Sequence, residues 1–275
     1  MQDVTKEQLL VALETAGFQP GDGALVHSAI QYLGRPVGGV GIYLEALCSI
    51  LDMRELRMEN REWSENSDQS RLSTLDSRIL GGTLAVPAFN FAFARGEPYD
   101  PQSTPSQGMG AFSEYVRRHP AALRTPHPMQ SLAVIGHYAA DLAGRDTPSA
   151  FDPGSAFERM LELDFKLLLL GADVQSVSLV HYSEQRAHVP YRYWKDFTGP
   201  VKTPDGWQTR TYRMFARDLE VDPRLDLLPI QALLQSRDLW HTVPLHYGQI
   251  ATCRLADFVA AADELLAKDP WALVN

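Results

Sequence analysis

Residues 165–184 read FKLLLLGADVQSVSLVHYSE, and the organisation of the chain can be worked out from this stretch. Leu167 to Leu170 is an unbroken apolar run stopped by Gly171, short enough for a buried strand rather than a helix. Residues 178–189 follow as a helix closed by Pro190. His181 and Glu184 stand at i and i+3 on it, so their side chains share one face.

The same strand, loop and helix order appears near the start of the chain. Thr5, followed by Lys6, Glu7 and Gln8, is a capping box that opens a helix with Leu9, Leu10, Leu13 and Ala16 on its apolar face. Gly17 stops that helix. ALVH at 24–27 reads as a strand, and a bend at Gly38, Gly39 and Gly41 leads into a helix through Tyr43, Leu44, Leu47 and Leu51. Further on, GGTLAVPAF at 81–89 is a turn and a buried strand. AFSEYVRR at 111–118 and SAFERMLE at 155–162 are helical. Pro204-Asp205-Gly206 marks a hairpin over 199–215. IATCRL closes the strands and ADFVAAADELLAK the helices.

These elements predict an α/β (α+β mixed) fold, with a mixed central sheet flanked by helices and a late β-hairpin. One domain over 1–275 is expected. Residues 54–80 are charged and Ser/Asn-rich, and read as a surface insertion. Residues 90–110, rich in Gly, Pro, Ser and aromatics, form a long loop of the kind that carries function.

Bulk properties exclude several classes. The 275 residues are 45% hydrophobic and 21% charged, an ordinary globular balance, and the net charge of -9 argues against nucleic-acid binding. An acidic body attracts cationic small molecules. Cys48 and Cys253 lie outside any CxxC or Cys/His cluster, so reduced thiols are expected and no metal site. The N-terminus is too polar for a signal peptide, and no apolar run nears the roughly 20 residues of a membrane span. A cytoplasmic protein is expected, without a membrane or nucleic-acid partner; a homodimer is compatible with the sequence but not specified by it.

Three segments carry candidate chemistry. A carboxylate beside an imidazole raises its basicity and fixes its tautomer, so His181 with Glu184 is a candidate general base, set just past the end of a buried strand. In RTPHP at 124–128, prolines hold Arg124 and Thr125 in a rigid turn suited to an anion. VHSAIQYLG at 26–34 offers Ser28 and backbone amides to an oxyanion or to amide groups. It contains neither the GK[ST] of a nucleotide loop nor a G-x-S-x-G elbow. His137, His188, His241 and His246 show no ligand spacing and read as structural or solvated. YRYW at 191–194 is either core or acceptor-pocket lining.

In order along the chain, several segments resemble the aminoglycoside 3-N-acetyltransferase (antibiotic N-acetyltransferase) family. They are GDGALVHSAIQYLG, GGTLAVPAF, the run from YDPQSTPSQGMG to RTPHPMQSLAVIG, FKLLLLGADVQSVSLVHYSE and GQIATCRLADFVAAADELL. The resemblance spans nearly the whole chain outside 54–80. It implies acetyl transfer from acetyl-CoA, as cosubstrate, to an amine of a small molecule by direct attack, with no covalent enzyme intermediate. By position it implies His181 as base, Glu184 as its orienting or acceptor-contacting partner, and Asp218 as an acidic residue near the acceptor. It implies a cosubstrate side built from His27, Ser28, Ser106, Arg124, Thr125 and His127.

The chain departs from the family pattern at Ala29, where a second Ser is usual, and in FNFAFARGEP, which lacks an acidic residue common there. The acceptor is therefore an aminoglycoside-type antibiotic or, alternatively, a biosynthetic amine such as an amino sugar or amino-acid-like metabolite. Two other readings stand beside these, a hydrolase using Ser28 with His181 and a catalytically silent binding module.

Overall fold

The computed structural model describes residues 2–53 and 81–275; the insertion expected at 54–80 lies outside the described residues. In chain order the first elements are β1 (Asp3–Val4), α1 (Lys6–Thr15), β2 (Gly23–Ser28), β3 (Arg35–Pro36), α2 (Gly41–Ile50), β4 (Thr83–Pro87) and α3 (Gly110–Arg117). The middle of the chain forms β5 (Leu123–Arg124), β6 (Leu132–Gly136), α4 (Ala139–Ala143), α5 (Ala156–Glu162), β7 (Lys166–Leu170) and α6 (Val180–Ala187). The last are β8 (Arg192–Thr203), β9 (Gly206–Arg217), α7 (Leu228–Ser236), β10 (His241–Leu245), β11 (Gly248–Arg254) and α8 (Leu255–Lys268).

Among the described residues, seven strands form one sheet in the order β10-β11-β7-β2-β4-β6-β5. The central trio β7, β2 and β4 is parallel, and antiparallel strands extend it on both sides. The expected mixed sheet flanked by helices is what forms.

The apolar runs are continuous because both faces of the sheet are covered. Leu167 and Leu169 of β7 join Leu25, Ala85 and Val134 against Phe157, Val180 and Phe258 from α5, α6 and α8. Leu168 and Leu170 point the other way, with Val26, Leu84 and Ile135, onto Leu13, Leu47 and Phe112 from α1, α2 and α3. Burying each such leucine contributes roughly 1.5–3 kcal/mol, so a polar replacement in β7 exposes no solvent face to accommodate it.

The capping box of α1 is present, with Thr5 accepting from Gln8 N and the Gln8 side chain accepting from Thr5 N. The hairpin is longer than its turn signal marked, with β8 and β9 paired from Arg192↔Arg217 to Thr203↔Gly206. It buries Val201 and Tyr212 against Phe93, Tyr99 and Met129. Strands β5, β6 and β10 and helices α4 and α7 were not read from the sequence. In β10 the reason is Pro244, tolerable because this is the edge strand of the sheet.

Strand β2 lies between β4, reached through α2, and β7, reached much later in the chain. Ligands of open α/β sheets bind at such a switch point, beyond the carboxyl ends of the parallel strands. The ends of β2 and β7 meet closely there. Gly171, with φ of 68°, turns the chain so tightly that a Cβ on it would sit 2.7 Å from the Ala29 carbonyl oxygen. From that end of β7 the chain passes through a 3-10 turn at Val174–Ser176 into α6 and His181.

Candidate active site

Helix α6 buries Val180, Tyr182, Ser183, Glu184 and Gln185, and keeps the His181 side chain 25% exposed. Nδ1 of His181 lies 2.6 Å from Oε2 of Glu184, whose side chain is fully buried. Nε of Arg192, at the start of β8, approaches the same oxygen at 2.9 Å. Burial alone would raise the Glu184 pKa, but the hydrogen bond and charge of His181, together with Arg192, outweigh it and hold the carboxyl below its usual value. An ionised Glu184 accepts a proton-bearing Nδ1–H, which leaves the lone pair on Nε2. Nε2 makes no hydrogen bond among the described residues.

The ring of Phe151 meets the His181 ring edge-on, with centroids 6.0 Å apart. The 149–152 turn is tied to α6: Ser149 Oγ donates to Gln185 Oε1 (2.7 Å) and Gln185 Nε2 donates to Asp152 Oδ1 (2.9 Å). The imidazole is therefore fixed by a carboxylate on one side and an aromatic wall on another. Arg192, Tyr191 and Phe151 did not stand out in the sequence as partners of the base. The available signal was a cation at the head of YRYW, a residue type that strand cores bury only with a partner.

The other predicted residues are placed in different ways. Ser28 ends β2, and its Oγ is buried with no hydrogen-bond partner. It faces the glycine turn before α3, where a Cβ on Gly110 would lie 3.8 Å from it. An orphaned hydroxyl of this kind fits a carbonyl or amide brought by a bound molecule. Because Ser28 Oγ is not hydrogen-bonded to His181, the nucleophile–base pair that a serine hydrolase needs is not formed. Ser106 is engaged by Glu114, its Oγ donating at 2.7 Å, and Glu114 is also gripped by Arg117. The Arg117 hydrogen bond holds the Glu114 carboxyl far below the usual range against the opposing effect of burial.

Arg124 braces its surroundings: Nε donates to Ser131 Oγ at 2.9 Å, and the two terminal nitrogens donate to the carbonyls of Thr104 and Ala88. Its guanidinium also stacks over Tyr99. Thr125 is buried, its Oγ1 accepting from Leu132 N at 2.8 Å. His127 is buried with Nδ1 accepting from Gln130 N, and Nε2 facing the Arg213 carbonyl. Asp218 follows β9 and caps a turn through Glu220 N (2.9 Å). It makes no hydrogen bond to His181 or Glu184 among the described residues, and its backbone N–H donates to the Tyr191 carbonyl at 3.0 Å. A cavity of about 960 Å³ opens at the β5 edge, lined by Arg117, Arg118, Arg124 and Lys202 among others, and His181 is not in its lining.

His27 and His127 are both neutral in the fold, because burial pushes each from 6.5 down to about 4. A histidine with a lowered folded value contributes stability above pH 6.5 that is lost as pH falls toward the folded value. Moving from pH 7 to pH 5 therefore costs about 2 kcal/mol for each. Urea unfolding at the two pH values checks this: His127→Gln should show a visibly smaller loss than the parent. An identical loss in both would contradict a neutral buried His127.

Among the described residues no cluster of His, Cys, Asp and Glu is arranged to hold a metal ion, and no helix is long and apolar enough to cross a membrane. Cys48 and Cys253 are both buried, and neither forms a disulfide among the described residues. Among the described residues, a histidine backed by a buried carboxylate stands beyond the carboxyl ends of parallel strands and is not hydrogen-bonded to Ser28, an arrangement able to take a proton from a nucleophile that a substrate supplies.

The comparisons with known proteins specify the class. The family model described as Aminoglycoside 3-N-acetyltransferase matches residues 25–267. The aminoglycoside N(3)-acetyltransferase III of a Salmonella species is 28% identical over 232 residues, covering 82% of this chain and 75% of the relative. The aminoglycoside N(3)-acetyltransferase VIII of Streptomyces fradiae is 30% identical over 223 residues, covering 79% and 72%. A solved AAC-IIIb binary complex with CoASH superposes with a TM-score of 0.76 at 21% identity, covering 97% of both chains. The chain belongs to the aminoglycoside 3-N-acetyltransferase family and is an acyltransferase.

Proposed function

We propose that this enzyme moves the acetyl group of acetyl-CoA onto a primary amine of an aminoglycoside-type molecule, in the cytoplasm, with His181 as general base. The observation that carries this reading is the imidazole held at 2.6 Å by a fully buried, ionised Glu184. When bound, acetyl-CoA supplies an activated thioester carbonyl. Nε2 of His181 takes the proton that the amine loses as its nitrogen bonds to that carbonyl carbon and the C–S bond breaks. The imidazolium so formed lies against Glu184, which stabilises it, and its proton is then available to the departing thiolate.

We assign Ser28, whose Oγ has no protein partner, to a carbonyl or amide of the cosubstrate. The cavity at the β5 edge has a basic lining of Arg117, Arg118 and Lys202, complementary to phosphates. It lies four strands from β7, about 19 Å at the usual spacing, a distance for an extended pantetheine arm to cross. In this reading His27, Ser106, Arg124, Thr125 and His127 shape the cosubstrate side mainly by bracing its walls. Asp218 would act on a bound acceptor rather than on the base. Residues 1–275 act as one catalytic domain, and the net charge of -9 favours a polycationic acceptor.

The test is thermal stability with acetyl-CoA, followed by thiol release over aminoglycosides, amino sugars and amino-acid-like amines. The expected result is a stabilising shift and thiol release with aminoglycosides. A shift with release only on another amine class would retain the transferase and replace its acceptor. No shift at millimolar acetyl-CoA would overturn the reading.

A further inference from the structure

We propose that the Tyr191-Arg192 dipeptide at the head of β8 is a positioning element that sets the proton affinity of His181 through Glu184, an inference that rests on His181 being the base. Three observations carry it. Oε2 of Glu184 is shared between His181 Nδ1 at 2.6 Å and Arg192 Nε at 2.9 Å, and the Arg192 side chain is only 10% exposed. The Tyr191 phenol, fully buried, lies against the same carboxylate, and its oxygen and Glu184 Oε1 are both buried without a hydrogen-bond partner among the described residues. Finally, the dipeptide is anchored on its far side. Arg192 Nη1 donates to the Phe215 carbonyl at 3.2 Å, and Tyr191 stacks on Trp271 with centroids 5.4 Å apart.

The physical consequence follows from the shared oxygen. A carboxylate buried without compensation protonates, and a protonated Glu184 would no longer fix the tautomer of His181. Arg192 keeps it ionised. The same guanidinium also draws off part of the negative field that would otherwise fall on the imidazole alone. Glu184 thus orients His181 while part of its charge is answered by Arg192. The remaining charged groups on α6 and its neighbours are engaged elsewhere: Asp152 holds Gln185, Glu158 meets the Tyr182 hydroxyl, and Arg186 pairs with Asp263 of α8. The β-hairpin therefore reaches the catalytic helix as part of its electrostatics.

The experiment compares Arg192→Met, Arg192→Lys, Tyr191→Phe, Glu184→Gln and the double variant Glu184→Gln/Arg192→Met, after thermal melts establish which are folded. The readout is kcat against pH, with KM for acetyl-CoA. Arg192→Met should move the acid limb of the kcat profile up by about one pH unit, and so lower kcat roughly tenfold near neutrality, with KM for acetyl-CoA little changed. Arg192→Lys should restore most of the loss, and Tyr191→Phe should move the limb in the same direction by less. The double variant should be no slower than Glu184→Gln alone, since both act through one carboxylate. A loss that is equal at every pH, with the limb unmoved, would make the dipeptide merely structural and overturn the proposal. If Arg192→Met does not fold, an unmoved limb in Tyr191→Phe overturns it equally. Full turnover by His181→Ala would instead remove the base assignment itself.

Discussion

His181→Ala lowers kcat for acetyl transfer by at least ~100-fold while acetyl-CoA binds as before, the low end of what loss of a general base costs. An acceptor amine near pKa ~10 is almost entirely an ammonium at neutral pH, so its proton must go somewhere as the C–N bond forms. In the proposed reading Nε2 of His181 takes it, since Nδ1 lies 2.6 Å from Glu184 Oε2. The imidazole is 25% exposed and packs edge-on against Phe151, so truncating it removes little of the core. Calorimetry with CoA and steady-state rates on the same preparation separate the two quantities. Near-normal turnover would sink the assignment, and lost CoA binding would move His181 to the cosubstrate side.

Glu184→Gln destabilises the folded protein by about 3–5 kcal/mol, the cost of stranding one member of a buried ion pair. The carboxylate is fully buried, and its loss leaves the Arg192 guanidinium, 10% exposed, with no countercharge on that oxygen. The pH dependence has a definite sign. Burial would raise the Glu184 carboxyl above its usual 4.5, but His181 and Arg192 outweigh it and hold the group below that value. Its contribution is therefore complete above pH 4.5 and is lost as pH falls through the folded value. Urea midpoints for parent and variant between pH 7 and pH 4 test both parts. A change under 1 kcal/mol at pH 7 would mean that Arg192 finds another partner at no cost.

How far the sequence carried depended on whether a feature was local. The strand at 166–170 and the helix that presents His181 were legible because an apolar run, a glycine and an i,i+3 pair are short-range signals. The capping box at Thr5 was legible for the same reason. The Arg192–Glu184 contact was not, since it joins the head of a hairpin to a helix through tertiary packing. Pro200 and the glycine at 199 masked the continuity of β8, which runs through them on an exposed, two-stranded ribbon. RTPHP was read as a rigid turn, whereas Arg124 lies in strand β5 paired with Ala133, and the direction of its side chains was not legible. Arg124 spends three nitrogens on Ser131 and Ala88, brought near by pairing among β4, β5 and β6, and on Thr104 in the loop before α3. The local turn that Asp218 caps through Glu220 N was likewise not legible in the sequence.

Transfer to an amine and hydrolysis of a thioester differ in their product balance. Free thiol and N-acetylated product are quantified together, by thiol titration and mass spectrometry, in a reaction of the parent enzyme with acetyl-CoA and an aminoglycoside. The account predicts equimolar thiol and acetylated amine, with no thiol released when the acceptor is omitted. Thiol release accompanied by free acetate and unmodified aminoglycoside would contradict it.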